Sequence, residues 1–279
     1  MPGSSRFARE DRASKRHLSC SPTINAQDVR SLIDTYFLRG IAVTAEKNMR
    51  IYYRKAPVVI FGLLFPLFMF VAFFIGRELE IDLFFPAFLA MTLFFTSSSV
   101  GPLITPWEKQ ARTFERLLSY PLTVGTLILG DMAAGMLFGA GISVLVLLLG
   151  VAFVGIGISS VVLFLVALLL GAICFASMGV LLAAPASSSP SNIMMLSSLI
   201  RFPLIFISGI FIPLGELEGL RLAVSYASPL TYLVDAMNHA AGGPTSMHVA
   251  VDIVVLIVVS AIFLIAATAI QKRSLTKGL

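Results

Sequence analysis

Arg201, Asp131 and Asp252 are ionisable side chains set inside long apolar stretches of this sequence. A charge at hydrocarbon depth costs about 2.5–3.5 kcal/mol on insertion scales, so such a residue has to face a cavity, a partner or a membrane edge. Two readings stand for Arg201: contact with an anionic headgroup or substrate, or snorkelling and pairing with a backbone carbonyl. Asp131, about ten residues into its stretch, is expected to pair inside a helix bundle, and Asp252, near the start of its own, to meet water. Ser97 and Ser98, in the Thr-Ser-Ser-Ser run at 96–99, join Arg201 and Asp131 as candidate polar groups of a translocation path.

Other chemistry finds no constellation. His17, His239 and His248 are scattered and no His-Glu-x-x-His run occurs, so no metal site is expected. Cys20 lies in a basic head and Cys174 in an apolar run, which suits two inert thiols rather than a disulfide framework. No glycine is followed by lysine, so the chain lacks a phosphate-binding loop ending in Gly-Lys-Ser or Gly-Lys-Thr. Neither a catalytic residue nor a cofactor site is expected, and energy for any transport has to come from elsewhere.

The elements that hold these residues follow from composition. Of 279 residues 57% are hydrophobic and only 13% charged, with a mean hydropathy of +0.93. A soluble domain is nearer a quarter charged, and a run of about 20 apolar residues crosses a bilayer core of roughly 30 Å. Six runs reach that length, at about 57–76, 83–104, 121–153, 160–184, 193–212 and 248–270, with the hydroxyl cluster softening the end of the second. The fold class is therefore an all-α polytopic membrane protein. Lys and Arg set its orientation, because short loops rich in them stay inside. With six crossings, 17 of the 20 fall on segments that share a side with the N-terminus and two on the opposite side, which places both termini in the cytoplasm of a cell-membrane protein. The net charge of +5 then needs no nucleic acid. The head at 1–27 has no apolar core for a signal peptide and reads as a disordered cytoplasmic tail; residues 28–279 read as one domain without internal repeats.

Two amphipathic segments stand outside the spans. Val29, Leu32, Ile33, Tyr36, Phe37 and Ile41 recur at helical spacing in a helix over 28–55, with Arg50, Arg54 and Lys55 near headgroups, as in an interfacial helix that leads the chain into the bilayer. After the second span, Pro106 and Pro121 bracket TPWEKQARTFERLLSYPL, too polar to cross. Trp107, Ala111, Phe114 and Leu118 make one stripe, and Glu108 and Arg112, four apart in the favourable order, pair on the other face. Such a helix is either a solvated connector or a rod that fits a cleft in a cytoplasmic partner. Within the bundle Gly135 and Gly139, extended by Gly141, give a small-residue face suited to close packing inside the chain. Phe61, Phe65, Phe68, Phe70, Phe84 and Phe85 are expected to face lipid.

ERLLSYPL at 115–122 and FISGIFIPLGELEGLRLAVSYASPLTYLVDAMN at 206–238 resemble the permease subunits of type-2 ABC exporters, which include drug, antibiotic and polysaccharide exporters. The first is similar to that family's cytoplasmic coupling segment, with an acidic and a basic residue before paired leucines and a small-x-Pro-Leu ending. The second is similar to its fifth-helix exit, with a Ser-Gly-x-x-x-Pro turn and a following Pro-Leu-Thr-Tyr. The likeness covers nearly all of the chain from about residue 28. It implies an interfacial helix, six spans, a coupling helix after the second and short re-entrant helices before the sixth. It also implies two permease subunits, as a homodimer or heterodimer, with two copies of an ATP-binding subunit that carries ATP and Mg, and membrane lipid around them. The coupling residues it implies are Trp107, Glu108, Arg112, Phe114, Glu115, Arg116, Leu117, Leu118 and Pro121. The function implied is export of a hydrophobic or amphipathic molecule across the cytoplasmic membrane. A secondary transporter or channel, the alternative, would call for paired charges along the spans or broken helices in matching halves. An intramembrane enzyme would need clustered Asp, Glu or His near one interface.

Overall fold

A computed structural model describes residues 26–52, 60, 64–74, 81–111, 113, 123–154, 157–185 and 189–277. Helices are the only regular elements among these residues, with no strand. The elements are α1 (Ala26–Tyr52), α2 (Phe65–Phe74), α3 (Ile81–Gln110), α4 (Val124–Val154), α5 (Val161–Ala183), α6 (Pro190–Ile207), a 3-10 turn (Leu214–Glu216), α7 (Leu220–Ser225), α8 (Pro229–Ala241) and α9 (Val249–Lys277). Five of them, α3, α4, α5, α6 and α9, are long and apolar enough to cross a membrane, so the chain is an all-α polytopic membrane protein. Of the first expected span, 57–76, the helix described is α2.

The chain divides into two units, residues 1–38 and 39–279. What is described of the first is the N-terminal part of α1, where Tyr36 and Leu38 are exposed. The second is built around α3. Its most apolar stretch is 94% buried, against 17% for that of α9. Lipid can cover the apolar sides of α9, whereas α3 is covered by its neighbours and can carry a polar hydroxyl cluster within the membrane. Phe94 and Phe95 anchor the core from α3: Phe94 meets Phe175 of α5 edge-on at 4.9 Å and Phe95 meets Phe65 of α2 at 4.6 Å. Phe65 and Phe85 are thus packed inward, not turned to lipid as their composition suggested, whereas Phe68 is exposed. The side chains of Phe61 and Phe70 lie outside the described residues.

Glycines set how closely the helices approach. A Cβ on Gly101 of α3 would stand 2.5 Å from the Gly179 backbone of α5, so the two backbones touch. Gly135 and Gly139 of α4 lie against Ser97 of α3, which accounts for that small-residue face within one chain. Gly141 has nothing within 4 Å and does not extend it.

Two further expectations change. The hydroxyl cluster at 96–99 does not soften a helix end; it lies buried in the middle of α3, where Thr96, Ser98 and Ser99 bond carbonyls one turn back. Pro106 does not begin a new helix either, because α3 passes through Pro86, Pro102 and Pro106 to Gln110. Proline is tolerated inside a buried membrane helix when neighbours satisfy the carbonyl it frees.

Between α6 and α9 the chain folds back in short pieces. Gly209, at φ 78°, makes the turn out of α6, and Gly242, at φ 83°, ends α8 with Gly243 N–H donating to the Asn238 carbonyl at 2.9 Å. The α4–α5 connection is tied to this cap, since Ser160 N–H donates to the Ala240 carbonyl at 2.9 Å and the Ser159 hydroxyl to that of Ala241 at 3.0 Å.

Candidate coupling junction and intramembrane polar site

At one end of the bundle, residues 44–48 of α1, the last turns of α3 and the first turns of α4 meet through polar side chains. Thr44 packs on Gly130, where a Cβ would come within 2.5 Å of it, so this glycine admits α1. One turn on, Asn48 Nδ2 donates to Asp131 Oδ1 at 2.7 Å and Thr105 Oγ1 donates to Asp131 Oδ2 at 3.1 Å. Asp131 is 5% exposed, and each of its oxygens has a donor from a different helix. A buried carboxylate is stable when so satisfied and costly when not. Beside it Lys47 Nζ donates to Glu108 Oε1 in an ion pair, the Glu108 carboxylate being buried and the Lys47 side chain a quarter exposed. Glu108 is thus held by α1; Arg112, its expected partner, lies outside the described residues. Lys109 Nζ donates to the Pro185 carbonyl after α5 at 3.4 Å, and Trp107 is 39% exposed. The junction therefore gathers α1, α3 and α4, with α5 joined through Lys109. Phe114, Glu115, Arg116, Leu117, Leu118 and Pro121 lie outside the described residues.

Arg201 of α6 is 4% exposed and reaches α3 one turn before Pro102. Pro102 has no N–H, so the Ser98 carbonyl one turn earlier loses its helical donor. Arg201 Nη2 donates to that carbonyl, and Nη1 donates to Ser99 Oγ at 3.1 Å. Of the two readings of Arg201, pairing with a backbone carbonyl is the one seen, and the proline explains why that carbonyl is free. Ser98 is in this contact through its backbone, while Ser97 Oγ is buried without a hydrogen-bond partner. Among the described residues Arg201 forms no ion pair and its Nε–H has no acceptor. The structure thus places Asp131 with Glu108 and Arg201 with Ser98, in two separate polar groups.

Asp252 differs from its expectation. It is 0% exposed rather than facing water, and neither carboxylate oxygen has a hydrogen-bond partner. The histidines are scattered in sequence, yet the fold brings His239 to Asp235 and Asp252. Sequence reasoning did not reach Lys47, Asn48, Thr105 or Asp235. Lys47 registered only as one positive charge among many, and Asn48 and Thr105 carry no periodic signal. The four-residue spacing of Asp235 and His239 was the one readable sign, since such pairs share a helix face.

Residues 40–240 match the family of ABC-2 type transporters. The matched region takes in α1 from Gly40, the whole junction, Arg201 and the short helices up to α8. Nodulation protein J of Rhizobium meliloti (strain 1021) is a relative, 28% identical over 168 residues, or 59% of this chain. The aligned part spans 62% of that protein's length. With residues 40–240 matching the family and five apolar helices long enough to cross a membrane, the chain belongs to the ABC-2 type transporter family and is a multi-pass membrane subunit of a transporter.

Proposed function

We propose that this chain is the membrane half of an ATP-driven exporter that moves a hydrophobic or amphipathic molecule across the cytoplasmic membrane. It works with a second permease subunit and with two copies of an ATP-binding subunit, which carry the ATP and Mg. The observation that supports this reading is the junction. Because α3 runs unbroken through Pro106 to Gln110, displacement of the segment after it acts directly on the central helix. Lys47–Glu108 and Asn48–Asp131–Thr105 then pass the displacement to α1 and α4. A packed polar junction of this kind has discrete arrangements rather than a continuum, which is what switching between inward-open and outward-open states requires.

The partner engages the segment from Trp107 onward, with Glu115 and Arg116 fixing register. Both termini lie in the cytoplasm on this reading, supported by the concentration of Lys and Arg on one side of the spans. Reversing both charges, Glu115→Lys with Arg116→Glu, is expected to weaken co-purification of the ATP-binding subunit or to uncouple hydrolysis from transport, with membrane insertion intact. Unchanged assembly and coupled hydrolysis would remove the role given to this segment. ATP hydrolysis by the purified chain alone would contradict the division of labour.

A further inference from the structure

The C-terminal end of α8 bonds to the residues before α5, whereas Lys109, next to Glu108, bonds to the residue after α5, so the end of α8 lies away from Glu108. Asp252 there occupies the first turn of α9. A helix N-terminus favours a carboxylate, but only partly offsets its loss of water. With both oxygens buried and undonated, Asp252 needs a proton or a cation.

Its surroundings are built for the second. Asp235 and His239 lie one turn apart on α8, with Asp235 Oδ2 and His239 Nε2 at 4.0 Å, and one ligand atom from each of Asp235, His239 and Asp252 lies within 4.8 Å of the other two. Tetrahedral ligands about 2.1 Å from a zinc ion stand about 3.4 Å apart, so these groups need to close by up to about 1.4 Å. The Asp235 carboxylate is held in place by the N–H groups of Ser246 at 2.9 Å and Met247 at 3.0 Å. Each of its oxygens keeps a second lone pair for a ligand. His239 Nε2 lies 2.7 Å from the Met247 carbonyl oxygen. In the Nε2–H tautomer the ring donates to that carbonyl, so binding a cation through Nε2 exchanges this hydrogen bond for the ion.

Beside the cluster is a cavity of about 120 Å³ whose wall includes Asp235, Asn238 and Ser246. It is roomy enough for water or a hydrated ion to approach. Asn238 Oδ1, buried and without a partner, adds a further acceptor at that wall.

We propose that Asp235, His239 and Asp252 form a divalent-cation site of the zinc type that ties α8 to the start of α9. Two carboxylate oxygens and one imidazole nitrogen, with water in the fourth position, suit a first-row ion, and a site that carries buried negative charge gains most from one. The site fixes the short helices that follow α6 against the last span. It stands independently of ATP coupling.

The test uses the full chain carrying no polyhistidine tag, purified in lipid nanodiscs, stripped with chelator and dialysed against zinc. Mass spectrometry of the retained metal is expected to find about one zinc per chain, falling about tenfold in Asp252→Asn and in His239→Gln. Zinc is also expected to raise the unfolding midpoint of the native chain and of neither variant. The two substitutions are separate, so one carries the comparison if the other does not fold. Native chain without retained zinc, or variants that retain as much as the native chain, would overturn the site. So would an Asp252→Asn chain more stable than the native one at every zinc concentration, because the carboxylate would then be held by a proton.

Discussion

Asp131 and Asp252 are both carboxylates buried near the ends of long apolar helices, and their surroundings are opposite. Asp131 receives a donor on each oxygen, from α1 and from α3, and a lysine–glutamate pair lies beside it. Asp252 receives none, and a second carboxylate and an imidazole each bring a ligand atom within 4.8 Å of it. Burial alone therefore does not say what a membrane-embedded acid does. Donors from neighbouring helices make Asp131 a fastener between helices, whereas a shortage of donors suits Asp252 to the three-residue cation site proposed above.

Substitutions at the two ends should separate these roles. The largest loss is expected from Lys47→Met, which leaves the Glu108 carboxylate buried without its cation. Removing one partner of a fully buried pair costs about 3–5 kcal/mol, and the partial exposure of Lys47 brings this to roughly 2 kcal/mol. Unfolding of the purified chain in mixed micelles measures it. Asn48→Leu withdraws the amide from Asp131 and is expected to cost about 1.5–2 kcal/mol in the same assay. Arg201→Met leaves the Ser98 carbonyl with no donor, a loss of about 1–2 kcal/mol. Pro102→Ala supplies a backbone N–H to that carbonyl, so the double variant Arg201→Met with Pro102→Ala is expected to recover most of the loss. A double variant no better than the single would show that Arg201 serves something besides the proline break. The smallest effect belongs to Asp252→Asn without zinc, where removing an unsatisfied charge is expected to be neutral or stabilising by up to about 1 kcal/mol.

Helical content and membrane embedding were legible in the sequence because both depend on composition over windows of about 20 residues. The fate of the prolines was not. Pro106 reads as a boundary because proline breaks helices in water, yet inside a packed bundle neighbours can replace the bond it removes, as the Arg201 guanidinium does for Pro102. Partners across the bundle were hidden for a related reason. Asn48 and Asp131 are 83 residues apart and Arg201 and Ser98 are 103 apart, and neither hydropathy nor periodicity carries information over such separations. Asp252 was read as wet because it lies close to the end of its apolar run; it is dry because α8 covers that end of α9.

If the junction transmits motion, its charges matter as a pair and not one by one. The direct measurement is vanadate-sensitive ATP hydrolysis by the chain assembled with the ATP-binding subunit proposed for it, for Lys47→Glu, Glu108→Lys and the exchange of both. Each single change is expected to lower hydrolysis about tenfold, equivalent to about 1.4 kcal/mol, with the subunit still bound, and the exchange to restore it to within about threefold of the native rate. Singles that hydrolyse at the native rate, or an exchange as impaired as either single, would contradict transmission through Lys47 and Glu108.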